Sequence, residues 1–396
     1  MLISRRRLGT GLVGGALAAA TRPARAGPPA SIRIGVLHAM TGPISVIARE
    51  QMMGLELALA RLGNRLGGVP VELFEEDARM TPDTGLQAAT RLIEQRHIDI
   101  LVGNQLSNQL LAYIAPLAAA NVVVFTDLPG PSQLAGAGCT PDLFVMSWEN
   151  NTNSAAIGLA MTAAGVKRAY FISQNYVTGR EYVAGARKFY HGEVAGEAYL
   201  PIEQTDYAAE IAAIRAARPD AVYVFLPGAG GIAFLKQFAG AGLKARIPLF
   251  SGSWLADEHS FAALGAAAEG AHLVANWFAD LDNPQNVEFV AAFVAKFGRR
   301  PVVYAAMTYD NMMLLDRAVA SLGGDISDRD ALRRAIRGSD FQSVRGPFAF
   351  NVNQFPIQNY YAAEVVRSDG ELRHKVTATI ATGFKDGYFD QCHMPR

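Results

Sequence analysis

Short, continuously apolar runs alternate with helix-patterned stretches through most of this 396-residue chain. A strand that is apolar at every position must be covered on both faces, which is the condition of a parallel sheet with helices on each side. The first such strands read as residues 32–39, 71–77, 98–103 and 122–126. Helices 46–62, 82–96 and 107–119 lie between them, the second opened by Thr81 as a cap with Pro82 in its first turn. The pattern restarts near residues 148–153. Strands 144–148, 168–173, 193–200, 221–226, 248–253 and 271–276 then alternate with helices from 152 onward and over 179–190, 207–217 and 230–239. After Trp277 the order changes to helices 286–297, 303–322 and 329–336. Strands 348–351 and 360–366 follow, with a turn at Ser368-Asp369-Gly370. Two successive α/β units followed by helices and then strands predict an α/β protein of two lobes, with the chain passing between them again near its end. The length agrees, since about 370 residues beyond the leader described next exceed one typical core.

The first 26 residues read as an export signal. Ser4-Arg5-Arg6-Arg7-Leu8 is a twin-arginine pattern, an apolar Gly/Ala-rich stretch follows to Ala20, and Ala24-Arg25-Ala26 has the small-x-small form of a cleavage site. The apolar stretch is too short for a membrane span, which needs roughly 20 residues. Cleavage after Ala26 into the periplasm is expected, by the twin-arginine or the general route.

Charge excludes some partners. The chain holds 36 Lys and Arg against 36 Asp and Glu, but five arginines (5, 6, 7, 22 and 25) lie in the leader, which has no acid. The exported part is therefore at 31 against 36, a net charge of −5. A mildly acidic protein is a poor match for nucleic acid or an anionic membrane. The only two cysteines, Cys139 and Cys392, point to one disulfide in an oxidising compartment, with two free thiols as the alternative.

Ligands in open α/β sheets bind beyond the carboxyl ends of the strands. Those stretches here are rich in Gly, Ser, Thr, Asn and aromatic residues. Ser107 follows a strand and opens a helix, where a hydroxyl and free amides suit a carboxylate; the alternative is an ordinary N-cap. Gly228-Ala229-Gly230-Gly231 also follows a strand and opens a helix, but no acidic residue stands at the next strand end, so a dinucleotide site is not expected. Its glycines instead allow close approach of backbone to a ligand or to the other lobe. His38 ends a strand and reads as cleft-lining or structural. Trp148, Trp254 and Trp277 fall near strand ends, as stacking partners or as packing. No nucleophile–base pair, paired-His metal motif or phosphate loop is present, so no catalysis, cofactor or metal is expected.

Three stretches together resemble the branched-chain amino-acid (Leu/Ile/Val) binding-protein family of ATP-binding-cassette importers. They are IRIGVLHAMTGPIS at 32–45, ILVGNQLSNQLLAYIAPLAAANVVVF at 100–125 and AAAEGAHLVANW at 266–277. The resemblance spans about residues 31–390. It implies the type I periplasmic-binding-protein fold, with a mostly parallel sheet in each lobe, helices on both faces and three crossings between lobes. Lobe one would comprise 31–148 and 278–352, lobe two 149–277 and 353–385, and 386–396 a tail. It further implies a monomer without catalysis that closes on a small ligand and delivers it to an inner-membrane permease.

Carried over by position, Ser107 would hold a ligand carboxylate, with backbone from Pro129 and Gly130 alongside. Ile47 and Arg49 would lie over the ligand from lobe one, and Tyr176 and Thr178 would contact it from lobe two. Two departures stand out. The acid that pairs an amino-acid ammonium in this family is replaced by Ser253 or Trp254, and the aromatic residue expected near Gly228 by glycine. An unpaired ammonium in a closed cleft costs several kcal/mol. The stretches GPSQLAG at 130–136, SWEN at 147–150, ADLDNP at 279–284 and SVRGPFAFNVNQFPIQNYY at 343–361 resemble a subgroup assigned to aromatic acids. The expected ligand is therefore a small carboxylate, an aromatic acid before a branched-chain or other amino acid. The competing readings are a ligand sensor for a membrane receptor and an exported enzyme.

Overall fold

A computed structural model describes residues 27–394; the expected export segment at 1–26 lies outside them. The first lobe begins with β1 (Ile32–His38), α1 (Ser45–Arg61), β2 (Arg65–Leu66), β3 (Val69–Asp77) and α2 (Pro82–Glu94). It continues through β4 (Ile100–Gly103), α3 (Ser107–Ala119), β5 (Val123–Thr126), the short α4 (Ser132–Ala135) and β6 (Leu143–Val145). Its sheet runs β2-β3-β1-β4-β5-β6, parallel except at the two-residue β2. Successive side chains on a strand face opposite ways. Ile100 and Val102 accordingly bury with α1 on one face, while Leu101 buries with α2 and α3 on the other. Thr81 caps α2 with its side chain on the Thr84 amide, and Pro82 follows, as the sequence predicts.

The second lobe holds α5 (Asn150–Ala163), β7 (Arg168–Gln174), α6 (Val177–Phe189), β8 (Glu193–Leu200), α7 (Ala208–Ala217) and β9 (Ala221–Phe225). Next come α8 (Ala229–Gly240), β10 (Leu249–Gly252), the short α9 (Phe261–Leu264) and β11 (His272–Ala275). The chain then returns to lobe one with α10 (Pro284–Phe297), α11 (Val303–Ser321) and α12 (Arg329–Arg337). Helices α11 and α1 lie backbone to backbone: a Cβ on Gly54 would sit 2.2 Å from the Ala305 carbonyl oxygen, so only glycine fits this crossing.

The last strands, β12 (Phe348–Phe350), β13 (Pro356–Ser368) and β14 (Glu371–Phe384), complete the second sheet. Its order is β12-β13-β11-β10-β9-β7-β8, with β14 also on β13; β7 to β11 are parallel and the last three strands antiparallel. Two details differ from the sequence reading. Phe348–Phe350, inside the segment 278–352 assigned there to lobe one, pairs with β13 in the second sheet. Strand β14 has no counterpart in that reading; most of it is exposed or half-buried, so its sequence lacks the continuous apolar run of the inner strands.

Three passages join the lobes, at 146–149, 276–283 and 338–347, and a buried polar knot ties them together. Asn276 Nδ2 and Gln358 Nε2 both donate to the Ser147 carbonyl, at 3.1 and 2.6 Å. Arg345, fully buried, donates to the Met146 carbonyl, to Gln358 Oε1 at 2.8 Å and to Asp310 Oδ2 at 3.0 Å. Burial pushes the Asp310 carboxyl up and the Arg345 guanidinium down, and their mutual attraction opposes both shifts. A fourth link is covalent. Cys139 of lobe one is bridged to Cys392, 253 residues on, beyond the last strand of lobe two.

Candidate ligand-binding site

The carboxyl ends of the parallel strands in the two sheets face each other across a closed cleft. Contact between the lobes is direct: Ser107 Oγ at the start of α3 lies 2.7 Å from Thr178 Oγ1 in the first turn of α6. Asn150, at the start of α5, extends the link. Its Nδ2 donates to Ser107 Oγ at 3.1 Å and to Glu181 Oε2 at 2.6 Å, and its Oδ1 accepts from the Gly130 amide at 3.2 Å. Glu181 Oε1 accepts the Ser132 amide at 2.9 Å and the Ser132 hydroxyl. Glu149, ahead of α5, caps that helix through the Asn151 and Thr152 amides; burial pushes its carboxyl up to about 7 despite those bonds.

Behind these contacts lies a cavity of about 30 Å³, room for a water molecule or so. Lobe one supplies Ile44, Ile47, Gln105, Leu106, Leu128, Pro129 and, from α11, Tyr304. Lobe two supplies Gln174, Tyr176, Thr178, Tyr182, Ile202, Phe225, Pro227 and Trp254. Trp148 and Asn150 close the cavity near the first passage. The rings of lobe two form one packed group, with Tyr182 centred 4.3 Å from Phe225 and 5.1 Å from Trp254, and Trp254 edge-on to both. Burial raises the Tyr176 and Tyr182 phenols, so both stay neutral. A lobe-one network backs the other wall. Gln105 accepts the Ala39 amide and donates to Gln51 at 2.6 Å, and Gln51 donates to Asp127 at 2.7 Å.

Of the residues singled out in the sequence, Ile47, Pro129, Tyr176, Thr178 and Trp254 line the cavity. Ser107 sits at its edge, bonded to Thr178 and Asn150, which do line it. It is the first helical residue rather than the cap; Leu106 holds the cap position and makes no side-chain cap bond, so the Ser107 hydroxyl is free to cross the cleft. Gly130 stands behind Pro129, so close to Trp148 that a Cβ would lie 2.1 Å from the Trp148 carbonyl oxygen. Gly228 has φ of 72° and comes within reach of lobe one, an added Cβ lying 3.1 Å from the Pro43 carbonyl oxygen. Ser253 is buried beside Trp254 but does not line the cavity.

The structure does not bring Arg49 to the cavity. It follows Ile47 by two positions, about 200° round the helix, and lies exposed with its guanidinium 3.4 Å from Ser45 Oγ. His38 is fully buried and away from the cavity, its Nε2 3.9 Å from Asp127 Oδ2. Trp277 donates to Asn286 at 2.6 Å and is packing. Sequence reasoning missed Gln105, Asn150, Tyr182, Phe225 and Tyr304. Gln105 and Asn150 lie inside stretches it flagged, without being singled out there; the three rings sit inside helix and strand patterns that signal only burial.

Among the described residues no group of His, Cys, Asp or Glu could hold a metal ion, and no helix is long and apolar enough to cross a membrane. A model of the periplasmic binding protein family matches residues 31–371. Among curated proteins, the chain is 24% identical over 348 residues to Leu/Ile/Val-binding protein homolog 6 of Brucella melitensis, covering 85% of this chain and 88% of that one. Among solved structures, it is similar to an ABC-transporter solute-binding protein of R. palustris in complex with benzoate. That match has a TM-score of 0.87 and 29% identity over 92% of this chain and 100% of the other. A solute-binding protein of Rhodopseudomonas palustris BisB5 in complex with 3,4-dihydroxybenzoic acid matches with a TM-score of 0.85 and 27% identity, over 91% and 99%.

Proposed function

The chain belongs to the periplasmic binding protein family, and from that premise we propose that it is the exported solute receptor of an ATP-binding-cassette importer. Its ligand is a small carboxylate, an aromatic acid in preference to an α-amino acid. One observation carries this reading: the cavity wall is built mainly of aromatic and aliphatic side chains, and among the described residues that line it there is no Asp or Glu to pair an ammonium. The relatives of known structure bound to benzoate and dihydroxybenzoate support the same class.

In this reading the carboxylate enters between Ser107 and Thr178 and replaces their mutual bond with one from each hydroxyl. Charge-assisted bonds of that kind are roughly twice as strong as neutral ones. The ring then lies among Tyr176, Tyr182, Phe225 and Trp254. The present cavity is smaller than an aromatic ring, so the ligand enters only when the lobes part and seats in a slightly wider closed form. The leader at 1–26 delivers the protein to the periplasm, and the loaded receptor hands its ligand to a membrane permease.

A thermal-shift panel tests the proposal. Benzoate and hydroxybenzoates at about 100 times Kd should add about 2.7 kcal/mol of stability, while leucine, isoleucine and valine should add none. Stabilisation by leucine with no response to any benzoate would overturn it in favour of a branched-chain amino acid, the ligand class in the name of the Brucella relative.

A further inference from the structure

Several polar groups on the cavity wall are already committed inside the protein. Gln105 is bound to Ala39 and Gln51, Asn150 to Gly130, Ser107 and Glu181, and Tyr182 accepts from Asn153 at 3.1 Å. Two donors are not. The indole nitrogens of Trp148 and Trp254 are buried with no hydrogen-bond partner, on side chains only 3% and 6% exposed, and both rings line the cavity.

An indole N–H can only donate, and leaving a buried donor without an acceptor is unfavourable. Packing holds the Trp254 ring in place. Its six-membered ring lies on the Gly252 backbone, where an added Cβ would come within 2.0 Å of Cζ3, and Tyr182 and Phe225 flank it. The ring therefore cannot turn away to find a partner elsewhere. Nor does the wall offer a cation for a second full charge: no Lys or Arg lines the cavity among the described residues. What the two donors lack is an acceptor, and a neutral oxygen suits a wall without a cation.

We propose that the ligand is an aromatic acid bearing a neutral ring oxygen, a hydroxyl or an ether, and that Trp148 and Trp254 determine this specificity by donating to it. The proposal rests on the aromatic-acid reading of the site and adds the position-specific polarity that the reading leaves open. Plain benzoate fills the ring space but leaves both donors unanswered. A site with committed donors discriminates strongly against an analogue that lacks the acceptor.

The test compares ligands of nearly equal shape on the chain from residue 27 onward, by calorimetry. 4-Methylbenzoate matches 4-hydroxybenzoate in size but offers no acceptor; 3-methyl and 3-hydroxy isomers and 3,4-dihydroxybenzoate complete the set. At least one hydroxylated acid should bind tenfold or more tightly than its methyl counterpart. Trp254→Phe and Trp148→Phe keep an aromatic ring and remove the N–H. In one or both, the hydroxyl-to-methyl ratio should fall to near one, whatever happens to absolute affinity. Equal binding of hydroxyl and methyl acids by the unaltered protein overturns the proposal without any variant, and so does a ratio that survives both substitutions. In those two outcomes the aromatic-acid reading stands. Binding of leucine with no binding of any benzoate overturns both.

Discussion

The two walls of the cleft are made differently. Lobe one meets the cavity mainly with helix starts and a turn: the first turn of α3, the Pro129–Gly130 turn and the aliphatic start of α1, backed by the Gln105–Gln51–Asp127 network. Lobe two meets it with the interior of its own core, since Tyr182, Phe225 and Trp254 pack on one another and on the sheet. The first wall offers hydrogen bonds from fixed backbone and a hydroxyl; the second adds the Thr178 hydroxyl but offers chiefly shape and apolar area. Changes in lobe one should therefore alter affinity with little effect on folding, whereas changes in lobe two should alter both together.

The strongest challenge to that contrast is Tyr182→Ala. It removes the ring on which Phe225 and Trp254 rest and deprives Asn153 of its acceptor. Replacing a buried aromatic residue by alanine costs about 3–5 kcal/mol, so a large drop in the urea midpoint is expected even without ligand. A loss no greater than that of a lobe-one substitution would erase the distinction between the walls.

Ser107→Ala probes the other wall. It should weaken carboxylate binding by about 1–3 kcal/mol, the cost of a charged hydrogen bond. The unliganded Tm should move far less than for Tyr182→Ala. Unchanged affinity by calorimetry would remove Ser107 from the site.

A smaller effect appears with pH. Glu258 follows the cavity-lining turn of lobe two and faces Arg300 of lobe one at 3.4 Å; burial pushes its carboxyl from 4.5 up to about 7, with Arg300 opposing that shift and Asp280 and Asp257 adding to it. Because the folded form holds this proton more tightly than the unfolded chain, its stabilising contribution is complete below about pH 4.5. It is lost as pH rises to about 7 and is absent above. Glu258→Gln, which mimics the protonated form, should match the unaltered protein near pH 5 and exceed it at pH 8 by on the order of 1–2 kcal/mol. Parallel pH–stability curves for the two proteins would show that this carboxyl is ionised in the fold throughout.

The same difference between the walls explains what could be read from sequence. Inner strands announce themselves as unbroken apolar runs, so strand ends, and with them Pro129, Thr178 and Trp254, could be located before any coordinates. Ser107 was legible because a hydroxyl at a strand-to-helix turn is a local pattern. The rings of lobe two were not, because Tyr182 and Phe225 carry the periodicity of ordinary core residues and acquire a role only through the opposite lobe. Arg49 shows the limit of reading by position: a two-residue step along α1 separates cavity from solvent. The Arg345–Asp310 pair is 35 residues apart in sequence and joins the passages from different elements, so no local motif marks it. Strand β14 escaped because an exposed edge strand needs few apolar residues.

The Cys139–Cys392 bridge has a practical consequence. It anchors the end of the chain on the lobe where the described chain begins, for Pro28 lies against Gly324 beyond α11. A fluorophore attached ahead of Pro28 and a second attached beyond Cys392 would therefore ride on the same rigid body. Their energy transfer would stay constant however far the cleft swings. A distance reporter of ligand capture needs one dye moved to the outer surface of lobe two, for example to the exposed Gly240 at the end of α8, with the disulfide-anchored end serving as the stationary reference.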